Sequence, residues 1–247
     1  ENRGFTAAEL DDIWAKRDED YFLREKPEDI AWHTEAIAGH RLSELPLVLV
    51  RNGIESSVAN TTQIFIYAPF DIGSFAQTCS KLERLNLSIH DARIYHGPDG
   101  MSLDTYYVLD YNGEAIEDAT RLRYIRDQLS NTLADDSETS LFTQRLTPRR
   151  VRSFAIETET TLELDRDRGV SVLELISLDK PGLLARLGEV FADFGVVCQA
   201  AKIQTLGERV EDIFLLTDEE QNPIIDPQIS ADLQAAICSK LESREAA

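Results

Sequence analysis

Apolar residues fall at two different spacings along the chain, and the change from one to the other lays out its elements. Residues 62–67 and 170–178 are short runs rich in β-branched and aromatic side chains, which suit a pleated surface, and they read as strands. Each runs directly into a helical stretch. In the second, Leu183, Leu184, Leu187, Val190, Phe191 and Phe194 share one helical face while Arg186, Glu189 and Asp193 fall away from it, and Gly195 ends the helix. Two strands follow, 196–205 and 210–217, joined by a turn at Leu206-Gly207-Glu208; the earlier stretch has His96-Gly97-Pro98-Asp99-Gly100 in that place. A last helix carries Ile229, Leu233, Ala236, Ile237 and Leu241, matched earlier by Leu122, Ile125 and Leu129. Additional strands are expected ahead of each series, near 47–51 and 160–164.

The two series are one unit met twice. Laying Ala68-Pro69-Phe70-Asp71-Ile72-Gly73 over Ser177-Leu178-Asp179-Lys180-Pro181-Gly182 aligns Ala76 with Ala185 and Ile94 with Ile203. After a single deletion, Asp104, Tyr106 and Asp110 fall on Asp212, Phe214 and Asp218. The order is βαββαβ-like, which gives an antiparallel sheet with both helices on one face. The fold class is therefore α+β, as two tandem ferredoxin-like domains.

Ahead of the repeat, Leu10, Ile13, Trp14, Tyr21, Phe22 and Leu23 stand among many charges and read as a helix. Pro27 opens a second helix through Ile30, Ala31, Thr34 and Ile37, which ends near Gly39. The resulting division is a helical linker over 1–44, a first domain over 45–134, a connecting segment over 135–152 and a second domain over 153–247.

A chain of 247 residues that is 43% hydrophobic has material for two packed cores. Its formal charge of −20 works against nucleic acid, because that affinity comes from Lys and Arg displacing counterions. The basic stretch from Arg145 to Arg152 lacks interleaved aromatics and reads as part of the connecting segment. Cys79, Cys198 and Cys238 are far apart in apolar or small surroundings, as reduced thiols of a cytoplasmic protein would be, and no disulfide is expected. The longest apolar run, broken by Pro46, is too short to span a bilayer, so a soluble protein with no membrane partner is expected. The chain opens on Glu1 and its one methionine is Met101, which implies a piece of a longer protein.

Leu178-Asp179-Lys180-Pro181-Gly182-Leu183-Leu184, followed by Val210-Glu211-Asp212-Ile213-Phe214, closely resembles the ACT domain, a ferredoxin-like module that binds amino acids. Asn86-Leu87-Ser88-Ile89-His90-Asp91-Ala92-Arg93-Ile94 and Leu206-Gly207-Glu208-Arg209-Val210-Glu211-Asp212 resemble the first and second ACT copies that end the bifunctional PII uridylyltransferase/uridylyl-removing enzymes. Tyr21-Phe22-Leu23 and Pro27-Glu28-Asp29-Ile30-Ala31-Trp32-His33-Thr34 resemble that family's segment between its HD domain and the ACT pair. The resemblance implies a parent enzyme that uridylylates the PII signalling protein when glutamine is scarce and removes the group when glutamine is plentiful, using a divalent metal (Mg) and UTP. This region is then the glutamine sensor of that enzyme, with no catalytic residue, metal or cofactor of its own, and with ACT–ACT pairing and a homo-oligomer as further expectations.

From the residues alone, the turn 179–184 leads from a strand into a helix whose first amides lack partners and carry partial positive charge, a place for an amino-acid carboxylate. Gly182 admits close backbone approach, Pro181 stiffens the turn and Asp179 is placed to accept from the ligand's ammonium group; Lys180, Leu183 and Leu184 complete the turn, with Gln199 as a contact from the next strand. In the first copy Asp71, Gly73 and Ser74 take the corresponding places, with Phe70 and Ile72 where the second copy has an acid and a proline. The alternative is that Asp179 caps the helix and Pro181-Gly182 make a tight turn, in a ligand-free module that serves pairing and structure. His90-Asp91 lies in a strand without the several neighbouring ligands a metal phosphohydrolase needs, and Asp165-Arg166-Asp167 lies far from Gly73-Ser74, so hydrolysis and nucleotidyl transfer within this chain are both rejected.

Overall fold

A computed structural model describes residues 6–17, 19–40, 44–52, 58, 60–134, 156–206 and 208–242; the expected connecting segment 135–152 lies outside the described residues. In chain order the elements are α1 (Ala7–Trp14), α2 (Glu19–Arg24), α3 (Pro27–Ala38), β1 (Leu47–Asn52), β2 (Thr62–Pro69), α4 (Ser74–Arg84), β3 (Ser88–His96), β4 (Met101–Leu109) and α5 (Ala119–Ala134). They continue as β5 (Glu159–Asp165), β6 (Val170–Leu178), α6 (Leu183–Asp193), β7 (Val196–Lys202), β8 (Thr205–Leu206), β9 (Arg209–Asp218) and α7 (Pro227–Glu242). The chain divides into two compact units: Glu1–Asp71 with Ala92–Asp136, and Ile72–Asp91 with Ser137–Ala247.

In the first unit β2 lies between β1 and β4 and is antiparallel to both. Leu47, Phe65, Tyr67, Tyr95 and Leu103 form a core with Tyr21, against which Ile30, Trp32, Ala36 and Ile37 pack. Helices α2 and α3 thus cover one face of the sheet, while α5 packs along β1 and buries Ile125 and Leu129. Burial on both faces explains why β2 and β4 carry near-continuous buried runs instead of an alternation.

The expected first helix is two helices. α1 stops at Trp14, and Arg17 leaves the helical path with its side chain only 2% exposed, its guanidinium 5.7 Å from the Tyr67 ring centre and 3.8 Å from the Asp99 carboxylate. α3 begins at Pro27 and is closed at Gly39, as the sequence indicates. Polar groups sit beneath it. His33 stacks on Phe65 with ring centres 4.3 Å apart, shares a hydrogen bond with the Tyr21 hydroxyl at 3.0 Å, and is pushed down to about 3 by burial, with Arg51 and Arg93 adding to the shift. Asp29 is paired with Arg51, whose guanidinium also lies 3.8 Å from the Trp32 ring centre.

The second unit holds an antiparallel sheet in the order β7-β9-β6-β5, with two-residue β8 beside β9. Along β6, Ser171, Leu173, Leu175 and Ser177 are buried while Val172, Glu174 and Ile176 are not, the alternation of a sheet covered on one face. α6 packs against α7 and also against α4. The latter contact is close. A Cβ on Gly188 would lie 2.9 Å from Ala76 Cα, Ala76 Cβ and Phe75 Cδ1, so only glycine lets the helices meet. Gly188→Val is expected to cost about 1–3 kcal/mol by overpacking a contact made partly of backbone, read as a lower urea midpoint with unchanged m-value.

Both copies of the repeat are α+β with antiparallel strands, as expected, with one difference in strand order. A βαββαβ chain places its last strand beside its first; here the strand preceding each copy takes that edge, β1 on β2 and β5 on β6. The turn between β5 and β6, with Gly169 at φ +67°, makes that pairing local, and the observed order is ββαββα. The repeat alignment holds in detail: Asp110 and Asp218 each accept from the amide four residues on, Glu114 at 3.0 Å and Asn222 at 2.7 Å. The strand expected over 196–205 is broken at Ile203-Gln204. Ile203 N–H donates to His90 O at 3.1 Å and Gln204 N–H to Asp212 Oδ1 at 3.1 Å, and both bonds turn the backbone off the ladder.

Candidate functional site

The candidate site is the turn from β6 into α6, inside the second unit. Asp179 N–H donates to Glu208 O at 2.8 Å, which fixes the end of β6, and Leu183 N–H to Lys180 O at 3.2 Å, which closes the turn. Gly182 is the N-cap of α6 in the left-handed region, φ +76°, with no side-chain cap. Asp179 therefore does not cap this helix, while the tight turn at Pro181-Gly182 is present. Arg186 N–H donates to Gly182 O at 2.9 Å, the first bond of the helix, and the turn between them is its positive end.

The Gly182 N–H itself is engaged: it donates to Glu83 Oε1, from the last turn of α4, at 2.8 Å. A Cβ on Gly182 would have Glu83 Oε2 and Arg186 Nε both 3.8 Å away, so a carboxylate and a guanidinium flank the same side of the glycine. Lys180 turns elsewhere, its ammonium donating to Leu241 O at 2.7 Å on the last turn of α7, where a cation is favoured. Pro181 is exposed, Leu183 is buried in the core and Leu184 is half-buried. Gln199 sits at the bulge between Cys198 and Ala200, and its side chain donates to Thr217 Oγ1 at 2.9 Å.

Asp179 is joined by a residue outside the expected set. Asp212, 1% exposed, lies on the core-facing side of β9 with Val210 and Phe214; its Oδ1 accepts from Gln204 and its Oδ2 has no partner among the described residues. Burial pushes the Asp212 carboxyl up to about 7, and the Asp179 charge adds to that against the Gln204 hydrogen bond. Burial raises the Asp179 carboxyl as well. A carboxylate at an inward strand position, repeated as Asp104 in the first copy, is the signal by which a sequence reading finds Asp212; Glu83 has no such local signal.

The first-copy turn is built differently. Asp71 is the last residue of the first stretch of one compact unit, and Gly73 and Ser74 stand in the other. Gly73 caps α4 at φ −82°, an ordinary right-handed conformation, where Gly182 is left-handed. Phe70 packs edge-on against His96 with ring centres 4.3 Å apart. His90 and Asp91 stand in β3, and among the described residues no cluster of three or more His, Cys, Asp or Glu is placed to hold a metal. No helix among them is long and apolar enough to cross a membrane.

Residues 1–36 match the family model described as Uridylyltransferase GlnD fifth domain. The bifunctional uridylyltransferase/uridylyl-removing enzyme of Azotobacter vinelandii is 45% identical over 230 residues, 93% of this chain and 26% of its own length. Its counterpart in Ectopseudomonas mendocina is 42% identical over 239 residues, 96% of this chain and 27% of its own length. The chain thus spans about a quarter of the curated relatives it matches. A solved aspartate kinase from Synechocystis aligns over 74% of this chain and 28% of its own at a TM-score of 0.39 and 18% identity, too slight a likeness to support a conclusion.

Proposed function

This chain belongs, as one region, to the family of bifunctional uridylyltransferase/uridylyl-removing enzymes, and from that premise we propose that it is the part that senses an amino acid, glutamine, and sets how the whole enzyme modifies the PII signalling protein. Uridylyl transfer and removal then belong to domains outside this chain, which use UTP and a divalent metal (Mg), in the bacterial cytoplasm. The division into a helical linker (1–44), two ACT domains (45–134 and 153–247) and a connecting segment (135–152) belongs to the same proposal.

One observation carries it: within the second unit a turn offers an anion-binding end, Gly182 N–H with Arg186 beside it, next to two carboxylates, Asp179 and Asp212, with Asp212 Oδ2 unsatisfied. A small zwitterion needs both ends, and a buried carboxylate with one oxygen unsatisfied is costly until an ammonium group meets it. Coupling of about 1–3 kcal/mol between this site and the catalytic domains suffices for control, provided the ligand favours one arrangement over another.

Calorimetric titration of the chain with glutamine is the test. Asp212→Asn is expected to weaken binding about tenfold while leaving the chain folded, since a charge-assisted hydrogen bond to the ammonium group becomes a neutral one. If neither glutamine nor any other common amino acid releases or absorbs heat on titration, the sensor reading fails. A second reading, a ligand-free pairing module, draws on the close α4–α6 contact at Gly188 and on Glu83 already filling the Gly182 amide.

A further inference from the structure

We propose that the Glu83 carboxylate is a built-in surrogate for the carboxylate of the ligand, so that amino-acid binding exchanges one carboxylate for another at the Gly182 amide and releases the end of α4. The inference rests on the sensor reading of the β6–α6 turn and adds the step by which occupancy becomes movement.

The amide of an N-cap residue is met within a capping box by a Glu or Gln at the third helical position; α6 has Ala185 there, and the Gly182 amide takes its acceptor oxygen from outside the helix. That oxygen comes from a residue 99 positions away in sequence, held at 2.8 Å, and the group is a carboxylate flanked by Arg186. These are the partners a free amino acid's carboxylate requires, and one amide hydrogen cannot serve two acceptors at full strength. Helix position makes the exchange feasible. Glu83 is the penultimate residue of α4, where the negative end of the helix disfavours an acidic side chain, so holding it there gains less than a neutral or basic residue at the same position would. It is also only half-buried, with water on hand to receive the carboxylate when it leaves. The cation end stays empty throughout, since Glu83 brings no ammonium group to Asp212, and this is the contact a free ligand makes that the surrogate lacks.

An internal competitor lowers apparent affinity by the fraction of molecules in which it is seated. Glutamine titrations by calorimetry on the 247-residue chain, as wild type, Glu83→Ala and Glu83→Gln, read that fraction directly. The expected result is affinity raised about 3- to 10-fold in Glu83→Ala, with Glu83→Gln between it and the wild type, because a neutral amide oxygen is a poorer acceptor. In parallel, the Gly182 amide proton resonance should move upfield in Glu83→Ala and return downfield when glutamine is added. If the wild type binds glutamine and both variants bind it equally or more weakly, the surrogate assignment is overturned and the sensor reading stands. If no form binds glutamine while Glu83→Gln keeps its thermal transition, both are overturned, and Glu83 is a structural tie between α4 and α6.

Discussion

Replacing Arg93 with alanine is expected to lower the unfolding free energy by about 3–5 kcal/mol, the loss typical of removing one partner of a buried ion pair. Arg93 Nη1 lies 2.9 Å from Glu25 Oε2 and donates to Arg24 O at 3.2 Å, and its guanidinium sits 5.0 Å from the Tyr107 ring centre. The Glu25 side chain is 0% exposed and its other oxygen accepts from the Tyr95 hydroxyl at 3.0 Å. Burial already raises the Glu25 carboxyl, and the Arg93 charge is the main influence pulling it back. Without Arg93 the carboxylate keeps one hydrogen bond and no counter-charge, so burial raises its carboxyl further and the loss shrinks on acidification. Urea unfolding of Arg93→Ala checks the size, and the pair Arg93→Met with Glu25→Gln should recover much of it by removing both charges together. A loss below about 1 kcal/mol would mean that the pair is solvated and that α2 is held by its apolar contacts alone.

The sequence carried the periodic part of this molecule. The α3 boundaries at Pro27 and Gly39, the strand Val170–Leu178 and the edge strands ahead of each copy all follow from local chemistry, because capping, β-branching and inward parity are properties of neighbouring residues. The break after Trp14 was not legible: it depends on Arg17 reaching Tyr67 and Asp99, residues that nothing near position 17 specifies. The same holds for the split of the 196–205 strand, which turns on Asp212 capturing the Gln204 amide.

The candidate site divides along the same line. Gly182 and Asp179 could be named because a strand-to-helix turn with Pro-Gly has a recognisable local form, while the hydrogen bonds of Lys180 to Leu241 and of Gln199 to Thr217 had no local signal. Glu83 is a surface-patterned residue on α4, indistinguishable in sequence from any other helical glutamate. Only its position against a glycine in the other repeat gives it a role.

Two aspartates at one repeat position set the second large effect, a loss of stability between pH 6.5 and 8 of about 0.8 kcal/mol net of the histidines. Asp104, 3% exposed with the Ser102 hydroxyl donating to it, and Asp212 are both pushed up to about 7, mainly by burial. The folded chain thus keeps two protons that unfolded aspartates, at an ordinary value of 3.8, have already released. Histidines act in the opposite sense. His33 and His96 are pushed down to about 3 and about 4 by burial, so below the ordinary 6.5 the unfolded chain binds protons the folded chain refuses. The two pairs nearly cancel from about pH 4.5 to 6.5, which gives a plateau. Above it the unfolded histidines give up their remaining protons by about pH 7.5 and offset about half of the carboxylate effect: as pH climbs through 7 the two aspartates ionise inside the folded chain, and the stability gained by holding them neutral is lost. Thermal unfolding followed by circular dichroism at pH 6.5 and 8 should show the fall, and Asp104→Asn should remove nearly all of it while stabilising the chain at pH 8 by up to about 4 kcal/mol. Asp104 is the cleaner probe because it stands outside the candidate site. A variant less stable than the wild type at both pH values would mean that the Asp104 charge is neutralised by a partner in the fold, and that burial alone does not set its proton.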